Sequence, residues 1–240
     1  KILSQLNINL VLSSREALRD FNKYYTPYKA KVHVIHFVSY IEEELKKITP
    51  ELENKILRQY SLNKYVYIPN QFWQHKNHIV VLKAIEKIFK NNELKEFKFV
   101  FTGELSDYRN PEYIKKIGKL MGEDIFLERV LNLGFVKREE QLVIMKNAEL
   151  IIQPSLFEGW GTVLEDAKVL DKKILLSDIP VHREQMNENC FLFNPYDPEE
   201  LRLLITRAVK KRQGNDLEKG LKNMYQDARE YVKELENILL

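Results

Sequence analysis

The chain has one cysteine among its 240 residues, Cys190. A single thiol excludes a disulfide framework and a cysteine metal site, and it is typical of a reducing compartment. Because Cys190 begins the apolar run that ends at Phe193, we expect it to be a small buried hydrophobe and not a nucleophile. No run approaches the roughly 18 apolar residues of a membrane span, and no secretory leader pattern opens the chain. We therefore expect a cytoplasmic protein.

An excess of charge of one sign is also missing. The 38 basic and 35 acidic residues are interspersed and leave a net charge of +3. This balance is typical of a solvated surface and argues against nucleic acid as a partner. It leaves open a peripheral contact with the inner face of a membrane.

Glycine is scarce, with eight residues in the chain, or about 3% against an average usage of about 7%. Each glycine is therefore expected to have a positional reason, and Gly103, Gly134, Gly159 and Gly161 lie where predicted strands end. Hydrophobic residues make up 44% of the chain, which is enough for a core. The length is compatible with one or two domains, and Lys1 in place of methionine suggests a piece of a longer chain.

Short apolar runs rich in β-branched and aromatic residues alternate with stretches of helical periodicity. This alternation predicts repeated βα units and an α/β fold with a doubly wound parallel sheet. The predicted strands cover residues 8–13, 31–37, 64–69, 97–102, 130–134, 149–153, 173–177 and 190–193. The predicted helices cover residues 14–25, 50–60, 77–91, 111–121, 138–147, 162–170, 198–212 and 216–239. The clearest helix begins after Asn77, a predicted N-cap.

Ligands of open α/β sheets bind beyond the carboxyl ends of the strands, so the loops there are the candidate site. The most informative loop is 154–162, in which two glycines flank Trp160 and a helical pattern follows at once. Its unpaired first amides predict an anion site at the helix N-terminus. The alternative is a plain turn with Thr162 as the N-cap. Neither GxGxxG nor a Walker A loop is present, which disfavours ordinary dinucleotide and P-loop binding.

Carboxylates flank this glycine turn. We expect helix-dipole compensation to account for Glu165. Because the turn folds Glu158 back toward the helix, Glu158 and Asp166 are both predicted to reach one ligand, and acceptors of this kind suit sugar or ribose hydroxyls.

The run Pro154 to Ala167, with 148–154 before it and 176–184 after it, resembles the donor-site half of the family 4 retaining glycosyltransferases, which have the GT-B fold. Their signature is two acidic residues with seven between them, and Glu158 and Asp166 occupy these positions. The second is usually glutamate, so Asp166 is a departure with a shorter reach.

The resemblance also extends to the first of the candidate loops. Gln71 and Lys76 align with the arginine and lysine by which the family holds the donor phosphates, and only the lysine is kept. The resemblance covers about residues 64–212. It implies that residues 1–40 are the last βα units of an acceptor domain, that 41–63 connect the domains, and that 213–240 form a helix crossing back.

Carried over position by position, the resemblance implies a site for a UDP- or GDP-linked sugar donor, with no cofactor and no metal. Lys76 would neutralise the diphosphate and Glu158 would touch the donor sugar, as the two catalytic residues. The donor-binding residues would provide phosphate contacts, ribose contacts, base contacts and the cleft floor. They are Gln71, Gly103, Glu104, Gly134, Phe135, Val136, Gly159, Trp160, Gly161, Thr162, Val163 and Asp166.

The function implied is metal-independent transfer of a hexose, with retention, to a glycan or lipid-linked acceptor during surface polysaccharide assembly. We expect the 240 residues alone to bind nucleotide without transferring sugar. Two alternatives stay open: a non-catalytic α/β nucleotide-binding or interaction module, and a glycosidase that uses Glu158 and Asp166.

Several other polar and aromatic residues are also candidates for the site. His75 and His78 are expected to be exposed or capping residues and not metal ligands. For Trp73 and its neighbour Phe72, ligand stacking and packing are both open. For 182–184, cleft lining and a structural ion pair are equally open.

Overall fold

The computed structural model describes residues 2, 5–210 and 216–239, in which two parallel sheets are present. The smaller sheet pairs β1 (Asn9–Leu12) with β2 (Lys31–Val34). The larger sheet contains the remaining strands, β3 (Tyr65–Pro69), β4 (Lys98–Thr102), β5 (Val130–Asn132), β6 (Leu150–Gln153), β7 (Ile174–Ser177) and β8 (Cys190–Phe193). All eight predicted strands are confirmed within about two to three residues at each end.

Helices connect the strands in the predicted alternation. They are α1 (Arg15–Tyr25), α2 (Glu42–Lys46), α3 (Pro50–Gln59), α4 (His78–Lys90), α5 (Pro111–Met121), α6 (Arg138–Asn147), α7 (Thr162–Val169), α8 (Pro180–Gln185), α9 (Pro198–Lys210) and α10 (Leu217–Leu239). A 3₁₀ turn, Gln74–Lys76, precedes α4. The short helices α2 and α8 were not predicted, because five or six residues carry too little periodicity to be recognised. The predicted end of a helix at 212, and the boundary placed there, lie outside the described residues.

The order of the strands in the larger sheet is β5-β4-β3-β6-β7-β8, and every neighbouring pair is parallel. Counted from β3, this is the 3-2-1-4-5-6 order of a doubly wound sheet, so the predicted fold class is confirmed. The chain reverses its direction of winding between β3 and β6, which lie side by side with Val66 opposite Leu150. The loops that follow these two strands are therefore neighbours in space.

Both faces of the larger sheet are covered, as expected for buried parallel strands. In β3, Val66 and Ile68 pack into one core with α4 and α9, whereas Tyr65 and Tyr67 pack into a second core with α6 and α7. Cys190 is buried as expected, and burial raises the pKa of its thiol to about 11.

The last helix, α10, contacts α7 beside the larger sheet and β1 of the smaller sheet. Gly220 lies against the backbone of Val169 in α7, and the Asn9 side-chain amide in β1 donates to the Ile238 carbonyl at 3.3 Å. The division of the chain into domains stays a prediction. In the described residues, no helix is both long and apolar enough to cross a membrane.

The start of α4 differs from the prediction in two respects. Asn77 precedes the helix in a left-handed conformation, but its side chain makes no capping hydrogen bond and donates to the Pro195 carbonyl at 2.8 Å. His78 is not exposed or capping: it is fully buried and stacks on Phe72, with ring centroids 4.3 Å apart. Phe72 is a core residue, which settles its alternative in favour of packing.

The buried His78 should make stability depend on pH. Burial lowers the pKa of His78 to about 3, so the unfolded chain binds a proton that the folded chain excludes. The contribution of neutral His78 to the free energy of unfolding is therefore fully present above about pH 6.5. It is lost as the pH falls, by up to about 1.4 kcal/mol per pH unit. We expect His78→Phe to reduce the loss of unfolding free energy between pH 7 and 5.5 by about 1 kcal/mol. Urea unfolding at both pH values measures this, and an unchanged loss would contradict it.

Candidate functional site

The two loops at the winding reversal are fixed against each other. The Leu156 amide donates to the His75 carbonyl at 2.7 Å, and the buried Asn70 donates to Gln153 at the end of β6. This contact brings together the two predicted catalytic residues, which are 82 positions apart in the chain. The Lys76 ammonium donates to the Glu158 carboxylate at 2.5 Å.

The Lys76–Glu158 ion pair is nearly buried. The Lys76 side chain is 14% exposed and the Glu158 side chain is 10% exposed. Ser155 donates a further hydrogen bond to the same Glu158 oxygen at 2.7 Å. Because a buried charge without its partner is strongly destabilising, the ion pair holds the two side chains in place against each other.

A cavity of about 370 Å³ opens at the carboxyl ends of β3 and β4, beside this ion pair. Several predicted donor-binding residues line it together with Lys76: Gln71, Gly103, Phe135, Val136 and Val163. Trp73, whose alternatives were stacking and packing, also lines the cavity and is 38% exposed. The structure therefore gathers residues from three of the candidate loops and from α7 around one cavity.

Gly103 lines the cavity at a point where two backbone segments lie close together. Its φ is +123°, and its amide donates to the Gly134 carbonyl at 2.8 Å. A Cβ at this position would lie 2.3 Å from the Asn70 carbonyl oxygen, so only glycine fits. The neighbouring Glu104 contacts Gln71 through its backbone, because its amide donates to the Gln71 side-chain oxygen at 2.8 Å. The side-chain oxygen of Gln71 is thus directed to the loop after β4.

The start of α7 is partly as predicted. The helix begins at Thr162 with Gly161 at the N-cap position, so Thr162 is not the N-cap. The Gly161 amide donates to the Gln185 side chain at 3.1 Å and is not free. Within the described residues, the amides of Thr162 and Val163 donate to no protein acceptor. The two free donors are one and two residues further into the helix than the glycine.

Asp166 is paired with a residue that the sequence did not identify. Arg138 donates to its two carboxylate oxygens at 2.6 and 2.9 Å, and the Ser39 hydroxyl also donates to it. A second cavity, of about 320 Å³, lies beside Asp166 and Thr162, and Arg138 lines both cavities. A signal for Arg138 was present, because a cation in the first turn of a helix opposes the helix dipole and needs a partner.

Glu165 has a larger role than dipole compensation, so that expectation is wrong. It is 6% exposed, it accepts from Lys168 at 3.0 Å and from Gln185 at 2.7 Å, and burial raises its pKa. Its carboxylate connects α7 to α8. Helical periodicity could not show this, because α8 was not predicted.

Trp160 and Gly159 contact the N-terminal part of the chain. The indole stacks on His36 with ring centroids 4.4 Å apart, and its N–H donates to the Phe37 carbonyl at 2.8 Å. Ser13 donates to the Gly159 carbonyl at 3.2 Å. The donor-binding role expected of Trp160 and Gly159 stays a prediction. What the structure shows is that both residues are bonded to the N-terminal part of the chain.

The side chains of 182–184 favour the structural alternative. Arg183 pairs with Asp178, and Glu184 accepts from the His36 ring at 2.8 Å. His182 is fully buried and its Nδ1 lies 2.8 Å from the Ser177 carbonyl. In residues 2, 5–210 and 216–239, no group of three or more His, Cys, Asp or Glu side chains could hold a metal.

Comparison with known proteins gives a match to one family model and to a curated relative. The family model described as "Glycosyl transferases group 1" matches residues 51–234. The O-antigen biosynthesis glycosyltransferase WclY of Escherichia coli is 35% identical over 86 residues, which are 35% of this chain and 24% of WclY.

Two solved structures illustrate the likeness in fold. HepE (Alr3699) of Anabaena, in complex with UDP and glucose, has a TM-score of 0.77 at 17% identity and covers 95% of this chain. A glycosyltransferase of Rickettsia africae has a TM-score of 0.71 at 18% identity and covers 96%. The chain spans 62% and 64% of these two proteins, less than two thirds of each.

Proposed function

Because this chain belongs to the glycosyl transferases group 1 family and has the GT-B type of fold, we propose that it is the nucleotide-sugar-binding part of a glycosyltransferase. The proposed reaction transfers a hexose, with retention, from a UDP- or GDP-linked donor to a glycan or a lipid-linked acceptor. The match to WclY supports a place in surface polysaccharide assembly. We propose that the protein works in the cytoplasm, where a peripheral contact with the inner face of a membrane would bring it to a lipid-linked acceptor.

The observation that carries this proposal is the Lys76–Glu158 pair beside the cavity at the winding reversal of the sheet. This is where doubly wound sheets bind nucleotides. Lys76, held by Glu158, lines this cavity together with the apolar side chains of Phe135 and Val136. A nucleotide sugar has matching parts: an apolar base, an anionic diphosphate and a sugar with hydroxyl donors.

In the proposed reaction, the bond between the sugar and the diphosphate breaks and a bond from the sugar to the acceptor's hydroxyl oxygen forms. The hydroxyl proton leaves with the diphosphate, on which negative charge accumulates. Lys76 would stabilise this charge with a charge-assisted hydrogen bond, and the free amides of Thr162 and Val163 would add neutral donors. These groups are held in place before the donor binds, so little reorganisation is needed at the transition state. Glu158 would accept from the sugar hydroxyls.

The glycosidase alternative fits this geometry less well. A glycosidase needs one carboxyl group that stays protonated and can act as a general acid. Glu158 accepts from Lys76 and Asp166 accepts from Arg138, so both carboxyl groups are already engaged as acceptors of protein donors. The non-catalytic module stays the second candidate, because Gln71 is uncharged and bonded to Glu104 and both signature carboxylates already have protein partners.

A calorimetric titration of the 240-residue chain with UDP, GDP and ADP tests the proposal. We expect one of the uridine or guanine nucleotides to bind with a dissociation constant in the micromolar to low millimolar range, and ADP to bind more weakly. UDP is tested first because HepE was solved with UDP. Failure of all three nucleotides to bind at 5 mM or so would contradict the proposal.

We further propose that residues 1–240 bind the donor without transferring its sugar, since the chain spans less than two thirds of its solved relatives. Incubating the chain with the UDP- or GDP-linked sugar that it binds, together with glycan acceptors, checks this part. We expect no glycosylated product. Detection of a product would contradict the proposed absence of transfer, but it would not contradict nucleotide binding.

A further inference from the structure

We propose that Arg138 is a donor-binding residue of this protein, and that its guanidinium supplies the second positive charge for the diphosphate of the nucleotide sugar. This inference rests on the proposed function, and it adds a residue to which no role was assigned from the sequence.

The first observation is the position of Arg138. It is the first residue of α6, four positions after Gly134, and its side chain lines the same cavity as Lys76. It also lines the second cavity, beside Asp166, so this one residue borders both spaces. A nucleotide that fills the larger cavity would contact it.

The second observation is the unequal exposure within the two ion pairs. The side chains of Lys76 and Glu158 are almost equally buried, at 14% and 10% exposed, so the positive charge of Lys76 is largely compensated inside the protein. The Arg138 side chain is 38% exposed, whereas Asp166 is 5% exposed. The Arg138–Asp166 pair therefore presents its cation to solvent and keeps its anion inside.

The third observation is the hydrogen-bonding capacity that Arg138 retains. A guanidinium has five N–H donors. Two of them bond Asp166, and a third bonds the Gln141 side chain at 2.9 Å. The others have no acceptor among the described residues, and a planar fork of this kind suits phosphate oxygens.

The contact with Arg138 also limits how many hydrogen bonds Asp166 can accept from a ligand. A carboxylate offers about four lone-pair sites, and here two are used by Arg138 and one by Ser39. What is left is about one acceptor for a ribose hydroxyl. The Arg138–Asp166 pair thus acts as one unit that exposes mainly positive charge and donors, and this favours the phosphate part of the donor over its ribose part.

The test measures how much the diphosphate adds to binding. Dissociation constants are determined for uridine, by ligand-observed NMR, and for UDP, by calorimetry, and their ratio is compared between variants. The guanine pair replaces the uridine pair if only GDP binds to the wild type. Because the ratio cancels effects on the nucleoside part, a change in ribose contacts does not alter it.

Removing Arg138 alone would leave Asp166 as a buried, unpaired charge that could unfold the protein. The main variant is therefore Arg138→Gln with Asp166→Asn, and Asp166→Asn alone and Arg138→Lys accompany it. We expect the double variant to lower the uridine-to-UDP ratio by about 10- to 100-fold, as for one lost charge-assisted hydrogen bond. Asp166→Asn should keep or raise the ratio, and Arg138→Lys should restore it in part.

The matched control is the Arg183–Asp178 pair, which is also bonded through two nitrogens and lines neither of the two cavities. Arg183→Gln with Asp178→Asn should leave the ratio unchanged. The proposal is overturned if the Arg138 variants bind UDP and uridine with equal losses, or if Asp166→Asn alone lowers the ratio as much as the double variant. Absence of nucleotide binding by the wild type would instead refute the proposed function, and this inference with it.

Discussion

Replacing Lys76 with alanine is expected to weaken the binding of UDP or GDP by about 100-fold, because truncation of one partner of a desolvated charge pair costs about 2–5 kcal/mol. The variant loses the ammonium that we propose contacts the diphosphate, and it also leaves the 10% exposed Glu158 without its cation. The uncompensated carboxylate then repels the incoming diphosphate. Calorimetric titration of the folded variant measures the change.

Two comparisons separate these causes. Lys76→Ala combined with Glu158→Gln removes both charges, and it should recover part of the lost affinity because the repulsion is gone. Lys87→Ala is the matched control, since Lys87 forms an exposed ion pair with Glu199 at 3.2 Å and lies in α4, outside the cavity. It should change the affinity by less than about twofold. Unchanged nucleotide binding in Lys76→Ala would show that Lys76 does not contact the phosphates.

The second large effect is expected for Gly103→Ala, which should lower the free energy of unfolding by about 3 kcal/mol or more. Two costs add here. An alanine is strained at a φ of +123°, and its Cβ would lie 2.3 Å from the Asn70 carbonyl oxygen, which is backbone and cannot rotate away. The loop after β3 would have to move, and with it the floor of the cavity. We therefore also expect weaker nucleotide binding in any variant protein that remains folded.

Gly118→Ala is the control for this substitution. Gly118 lies inside α5, and a Cβ there would meet no atom within 4 Å. Alanine is the better helix former, so this variant should be more stable than the wild type by about 0.5–1 kcal/mol. Urea unfolding of both variants measures the difference, and equal stabilities would contradict the role assigned to the backbone at Gly103.

Element types and most boundaries were predictable from the sequence because they depend on local periodicity. Helix α5 matches its prediction at both ends, and β3 and β6 each match within one residue. The candidate loops could also be chosen in advance, since ligands of parallel sheets bind beyond the carboxyl ends of the strands. Short elements such as α8 were missed, because six residues show less than two turns of periodicity.

The partners of individual side chains could not be predicted in this way. Periodicity indicates that His78 begins a helix, but its stacking on Phe72 depends on how α4 lies on the sheet. The Arg138–Asp166 pair joins two helices whose relative position depends on the strand order. A charged residue at the start of a helix reads as a surface residue until the neighbouring element is known.

The residues and the chemistry of the candidate site were therefore present in the chain as local patterns: the glycine turn before α7, the two acids at 158 and 166, and Lys76 after β3. Their assembly was not. It depends on β6 pairing with β3 and not with β5, which brings Lys76 within hydrogen-bonding distance of Glu158. Strand order depends on how the helices pack on both faces of the sheet. This packing involves many segments at once, so it cannot be predicted from any single segment.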